Sequence, residues 1–503
     1  MTERPQTPRR NEPERLHALD ESFLLWEAEN TPMHIAAVMV FEPGPLATAD
    51  GGLDLTTLRK AILAGVARVP RYRQRVVEIP LLGGHVFVDD DRFDLDYHVR
   101  HVALPRPGSL SQLARLTANV MERPLDRRRP LWEMWVVEGL EGGRFALLTK
   151  VHHSMVDGIA GVELMLRILS PDPDARPAGE EIPPAAPAPP AAELLLRELA
   201  RRARLPLEAA LGRGEARRDV GEVGRELARR AAALARSLGR GLRPARRSSL
   251  NGPIGPHRRY ACSGQDLEVV RRLARELGCT VNDVVLATVA GAIRRTLRRR
   301  GERLREGGIR VLAPVSVRRA DERGVLGNRV WVWIVDLPVE RAGPLARLRA
   351  IRAQTAEFKR RGDALGADLL TGVAEWTSPT LLALGARAVM QLPAFNLIVT
   401  NVPGPQIPLY LCGARMAAAY PVGPLFDEIG LCVALLSYDG GLYWGLTADY
   451  DLVPDLDAIV EDLRAAFDEL ERAARRRSRS APEPGRGRRS GAGRAGGATT
   501  DRG

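Results

Sequence analysis

The chain reads as two α/β or α+β domains joined by a long spacer. Three observations predict this. Strand-like and helix-like segments mix in both halves, a Pro/Ala-rich run separates them, and 503 residues at about 100–200 per domain exceed a single core.

Residues 1–14 lack an apolar pattern and are expected to be disordered. The first domain spans 15–171. Asp20-Glu21-Ser22 before Phe23 to Trp26 marks a helix start, and MHIAAVMVF at 33–41 is a buried strand. Residues 55–67 have helical spacing and 73–79 alternate like a strand. Segments 132–138 and 144–151 flank a Gly-rich stretch and predict a hairpin, followed by a helix over 159–169.

Residues 172–250 form the spacer, Pro/Ala-rich over 172–192 and then Ala, Leu and Arg at helical spacing from Glu193 to about Leu242. Two readings of that helical part stay open: basic amphipathic helices lying on an anionic membrane, or solvated helix packed loosely on the protein. The second domain spans 251–473. Helices are expected over 266–277, 281–299 and 456–473, and strands over 309–317, 330–337, 395–400, 431–438 and 442–450. The Arg/Gly/Ser-rich tail 474–503 is expected to be disordered.

Charge narrows the classes. The formal net charge is +12, yet 172–250 holds 16 Arg against 11 acids and 472–503 holds 10 Arg against 2 acids. The remainder is close to neutral, so the folded core is not a nucleic-acid-like surface. Residues 1–16 contain no apolar run for a secretory signal, and Arg9-Arg10 lacks the apolar region of a twin-arginine leader. The longest apolar stretch, 380–400, is interrupted by Arg387 and Pro393. Cys262, Cys279, Cys412 and Cys432 show no CxxC spacing, so neither a zinc cluster nor a disulfide framework is expected, and the chain reads as intracellular.

The most informative run is Thr149-Lys150-Val151-His152-His153-Ser154-Met155-Val156-Asp157-Gly158, between an apolar strand and a helix. Polar residues at a strand end can face a cleft while the strand holds them rigid. A histidine there, with an ordinary pKa near 6.5, can accept a proton at cellular pH. A satisfied histidine pair beside a turn is the plainer reading of those residues alone.

HHxxxDG at 152–158 resembles the signature of the chloramphenicol acetyltransferase-like superfamily of CoA-dependent acyltransferases and condensation domains. Pro130-Leu131-Trp132 and Asn282-Asp283 resemble the PLW and ND motifs of the bacterial wax ester synthase/diacylglycerol acyltransferases within it. The stretches 19–41, 251–259, 395–415 and 420–451 are similar to that family too, so the resemblance covers about 15–472. The linker is longer and richer in Arg than the family pattern, and the tail is extra.

The resemblance implies two chloramphenicol acetyltransferase-like domains, each a mixed sheet flanked by helices, with a channel between them. It implies that His153 is the general base, His152 supports it, and Asp157 shapes the loop, commonly through an arginine. Gly158 lets the backbone turn or approach substrate. Pro130, Leu131 and Trp132 either line the acyl channel or belong to the core. Asn282 is either a helix cap or a site residue. The implied substrates are long-chain acyl-CoA and diacylglycerol, a long-chain alcohol, or both, with no cofactor and no metal. Peripheral contact with the inner face of the membrane or with lipid droplets is expected, and no specific nucleic acid; the oligomeric state stays open. An HHxxxDG enzyme using a carrier-bound thioester, and an inactive lipid-binding homologue, are the alternatives.

Rival motifs are missing. There is no GxSxG elbow, no Gly-Lys dipeptide for a Walker loop and no HExxH. Gly491 to Gly496 spells GxGxxG inside the tail with no strand before it, and Asp89-Asp90-Asp91 is expected to be a solvated turn before a strand.

Overall fold

Strand Phe145–His152 (FALLTKVH) is buried at all eight positions, which requires partners on both edges and cover on both faces. A computed structural model, describing residues 13–16, 18–155, 167–175, 182–210, 245–316, 330–361 and 394–480, shows how both are met. Strand His34–Phe41 pairs antiparallel on one edge and Trp132–Glu138 on the other. Side chains alternate between the faces, as the two-residue period of a strand demands. Phe145 and Leu147 join Phe41, Trp132, Met134 and Tyr72 in one cluster with Leu58 and Ile62 of helix Leu55–Ala67. Ala146 and Leu148 face Leu113, Ala114 and Ala118 of helix Leu110–Met121.

Both helices start where their sequence says. The Asp54 carboxylate accepts from the Thr57 N–H at 3.0 Å, and Ser109 with Gln112 forms a reciprocal capping box. The predicted hairpin forms, as Trp132–Glu138 paired with Phe145–His152. The acid triplet is different from expectation: Asp89 ends strand His85–Asp89, and Asp90 is 7% exposed, its carboxylate accepting from the Arg92 N–H. It closes a turn after a strand, because a carboxylate that satisfies backbone donors tolerates burial.

The second half holds another six-stranded sheet, in the order Val330–Leu337, Ile309–Ser316, Leu397–Pro403, Leu431–Tyr438, Gly441–Asp449, Arg258–Asp266. Leu397–Pro403 runs parallel to both neighbours and the other pairs are antiparallel. Helix Val281–Arg299 is buried along most of its length against this sheet and helix Leu456–Ser480. Gly291 makes that approach possible, since a Cβ there would lie 2.7 Å from the Ala466 Cβ. The closing helix continues to Ser480, so residues 474–480 are helical rather than tail: Ala473 and Ala474 still pack on the core, and the Arg475 guanidinium pairs with Glu471 one turn back.

The halves are interlocked. Strand Ala414–Val422, carried by the second half, pairs antiparallel with His34–Phe41 and extends the first sheet, which reads Tyr410–Leu411, Ala414–Val422, His34–Phe41, Phe145–His152, Trp132–Glu138, Val99–Ala103. Three tyrosines of the second sheet pin it: Tyr438 donates to Met416 O, Tyr443 to Ala417 O and Tyr260 to Pro421 O, at 3.0–3.1 Å. Gly445 is required at the crossing, because a Cβ there would fall 1.7 Å from Pro421 O.

Candidate functional site

At the end of the buried central strand the pairing splits. His152 donates its backbone N–H to Leu131 O at 2.9 Å on one side, and His153 donates to Met33 O at 2.8 Å on the other. His153 opens a short 3-10 turn through Met155, and its ring is half-buried. The Phe23 ring lies on it, centroids 3.8 Å apart and planes 14° from parallel. Phe23 belongs to helix Ala18–Trp26, so the predicted helix start at Asp20 to Ser22 falls within the helix. A rigid strand therefore delivers His153 to a position where one face of its ring is covered by an aromatic.

His152 points the other way, into the protein, at 1% exposure. Its Nδ1 accepts from the Ser154 N–H at 3.1 Å and lies 2.7 Å from the Ser154 hydroxyl oxygen, which leaves the ring proton on Nε2. That Nε2 faces Glu27 Oε1 at 3.5 Å, and His34 Nε2 faces the same oxygen at 3.4 Å. These separations are long for hydrogen bonds, and neither imidazole Nε2 makes a well-formed one. Glu27 is otherwise satisfied by the Met33 N–H at 3.3 Å and by Arg127, whose Nε and Nη2 donate to Oε2 at 3.1 and 2.7 Å. Burial favours a neutral Glu27, but its contacts with His152 and His34 outweigh burial and hold the carboxyl well below its usual range. Burial pushes the His34 imidazole down to about 3, only partly opposed by Glu27, so His34 is neutral.

Lys150, two residues before the pair, is buried to 1% exposure. Its ammonium donates to Val120 O at 2.8 Å and to Arg123 O, satisfying carbonyls at the end of helix Leu110–Met121. Burial lowers its pKa to about 8, against the opposing pull of Glu133 and Glu27.

The remaining expected residues separate. Asp157 and Gly158 lie outside the described residues. Pro130, Leu131 and Trp132 are buried in the first-half core; Trp132 is fully buried, donates its Nε1–H to Tyr72 O at 2.8 Å and stacks on His98 at 4.4 Å. The PLW motif reaches the site through its backbone, at Leu131 O. Asn282 is the second residue of helix Val281–Arg299 and is not its cap. Thr280 caps that helix, and the buried Asp283 carboxylate accepts from the Thr280 N–H and hydroxyl and from the Thr355 hydroxyl at 2.7–2.9 Å. Thr280 wins because its short hydroxyl reaches the third backbone N–H only from the position before the helix. Phe23, Glu27 and His34 are site residues that motif reading did not single out. Their one signal was the pattern of 19–41, seen as a block.

The turn carrying Glu27 is held from the other half. Arg258, buried on strand Arg258–Asp266, donates to Asn30 O and, at 2.7 Å, to Gly255 O, while Asn30 Nδ2 donates to Ile254 O at 3.2 Å. The stretch 251–259 is thus a clamp between halves.

Comparison with known proteins agrees with this architecture. The wax ester synthase/diacylglycerol acyltransferase catalytic domain matches residues 16–285, and the C-terminal domain of the same family matches 326–471. A Mycobacterium tuberculosis protein named "probable diacylglycerol O-acyltransferase" is 34% identical over 475 residues, 92% of this chain and 96% of that protein. The wax ester synthase/diacylglycerol acyltransferase from Marinobacter aquaeolei superposes with a TM-score of 0.66 at 28% identity, covering 92% of this chain and 99% of its own. The first condensation domain of the calcium-dependent antibiotic synthetase shares the fold, with a TM-score of 0.58 at 19% identity over 92% of this chain and 96% of its own.

Proposed function

The chain belongs to the wax ester synthase/diacylglycerol acyltransferase family, and we propose that it transfers a long-chain acyl group from acyl-CoA to diacylglycerol, to a long-chain alcohol, or to both. The observation that carries this reading is a family match over nearly the whole chain together with His153 half-buried at the end of a wholly buried strand. His153 takes the proton from the acceptor hydroxyl as that oxygen attacks the thioester carbonyl. The tetrahedral oxyanion collapses, the C–S bond breaks, and the CoA thiolate receives the proton from His153. No acyl-enzyme forms. General base catalysis contributes about 10²–10⁴-fold, and positioning of the two lipids supplies more. His152 supports the base from beneath, its ring fixed by Ser154 and facing Glu27.

Product analysis tests the acceptor. With palmitoyl-CoA, the protein is expected to form triacylglycerol from dioleoylglycerol, wax ester from hexadecanol, or both. No product with either, and turnover of a carrier-protein thioester instead, would place it with the condensation-type enzymes whose fold it shares.

We further infer that the protein works at a cytoplasmic membrane or lipid droplet surface, where its lipid acceptors are held. Helix Ala191–Ala210 supports this with its apolar surface: Leu196 and Leu199 are 65% and 46% exposed and Leu81 is 92% exposed, while Arg197 pairs with Glu193 and Arg201 and Arg202 pair with Glu198. The Arg-rich tail adds cations, each contributing about 1 kcal/mol at an anionic surface. Removing residues 481–503 is expected to weaken sedimentation with anionic liposomes at low salt. Unchanged binding would exclude the tail from that role.

A further inference from the structure

Glu27 sits at the junction of three routes to the histidine pair. Through the backbone, its Oε1 accepts from the Met33 N–H at 3.3 Å, and Met33 O in turn accepts the His153 N–H at 2.8 Å. Through the helix end, the Glu27 N–H donates to Phe23 O at 3.2 Å, and the Phe23 ring is stacked on His153. Through charge, Oε1 faces the Nε2 atoms of His34 and His152 at 3.4 and 3.5 Å in a space almost closed to water. Only Nε2–H tautomers present a proton to that oxygen, and His152 is already committed to that tautomer by the Ser154 N–H at its Nδ1.

An uncharged group at position 27 would lose much of this. A carboxylate is drawn to two imidazole N–H groups and a backbone N–H at once, because each interaction strengthens with the others in a low-dielectric setting. Arg127, itself half-exposed and also hydrogen-bonded to Leu24 O at 2.9 Å, fixes the other oxygen and keeps the carboxylate from rotating. The arrangement therefore spends a buried charge on orientation rather than on chemistry, since Glu27 contacts the far side of the pair.

We propose that Glu27 is a positioning residue that fixes the His153 ring by anchoring Met33 and the buried His152–His34 pair to one carboxylate. The inference rests on His153 being the general base. Its signature is a loss in kcat without a loss in substrate binding, because Glu27 acts through the position of the base, which must lie within hydrogen-bond reach of the acceptor hydroxyl.

The test is a double-mutant cycle on the full chain, measuring CoA release from palmitoyl-CoA with a lipid acceptor. Glu27→Gln is expected to lower kcat on the order of 10²-fold with KM for both substrates within about twofold, as for a misplaced catalytic group. Glu27→Asp, which keeps the charge, is expected to recover part of that loss. In a His153→Ala background, Glu27→Gln is expected to add nothing further, since it acts through the base. Wild-type kcat in Glu27→Gln, or a full additional loss on top of His153→Ala, would overturn the proposal. A His153→Ala protein as active as wild type would instead remove the base itself. If Glu27→Gln does not fold, Arg127→Met loosens the same carboxylate from the surface; it is expected to lower kcat severalfold at constant KM, and an unchanged kcat would overturn the proposal equally.

Discussion

Two imidazoles facing one carboxylate oxygen tolerate only certain protonation states, and the acid limb of stability follows. His34 has a folded pKa near 3 against an ordinary 6.5. Between those values the unfolded chain binds a proton that the folded chain refuses, so stability falls as pH drops below about 6.5. Glu27, depressed below its ordinary 4.5, acts in the same direction lower down, losing stability as pH falls through the carboxylate range. The thermal unfolding midpoint is expected to decline from pH 6.5 downward, and His34→Gln is expected to reduce that slope above the carboxylate range. A wild-type midpoint flat from pH 6.5 to 4.5 would contradict the buried neutral His34. The histidine pair itself was legible in the sequence because its members are adjacent and follow a strand. Glu27 and His34 were not, because their partner His152 is more than a hundred residues away and no local spacing encodes that meeting.

At the scale of elements, helices with clear caps and strands of continuous apolar character appear close to where the sequence places them: Leu55–Ala67, Val281–Arg299 and Leu431–Tyr438 match residue for residue. Local patterning specifies an element's existence, but not its partners. Nothing in Ala414–Val422 announces that it leaves its own half to pair with His34–Phe41. The ND motif shows a second limit. Its Asp283 is structural, joining the start of helix Val281–Arg299 to Thr355 of helix Pro344–Arg361. Asp283→Ala removes the acceptor for three donors, and a loss of about 2–4 kcal/mol is expected from the broken cap and the stranded Thr355 hydroxyl. Denaturant unfolding checks this. A loss below 0.5 kcal/mol would mean that the box contributes little.

The two six-stranded sheets cannot be separated at the linker. The first sheet needs Ala414–Val422 on the edge of His34–Phe41, and the Glu27 turn needs Arg258. Residues 1–250 expressed alone would present an unpaired, apolar strand edge, a known route to aggregation. They are expected to be insoluble alone and soluble when co-expressed with 251–503. A soluble, cooperatively unfolding 1–250 fragment would contradict the interlock. This dependence was hidden in the sequence, where a Pro/Ala spacer suggests independent domains; the strand exchange is a property of the assembled chain.

The interlock matters for chemistry because the base rests on elements held from both halves. The most direct test of the account is free-thiol release from palmitoyl-CoA with dioleoylglycerol, comparing wild type with His153→Ala. Acceptor-dependent release is expected in the wild type, reduced about 10²–10⁴-fold or more in the mutant while its unfolding midpoint is preserved. Release by His153→Ala at the wild-type rate would contradict it.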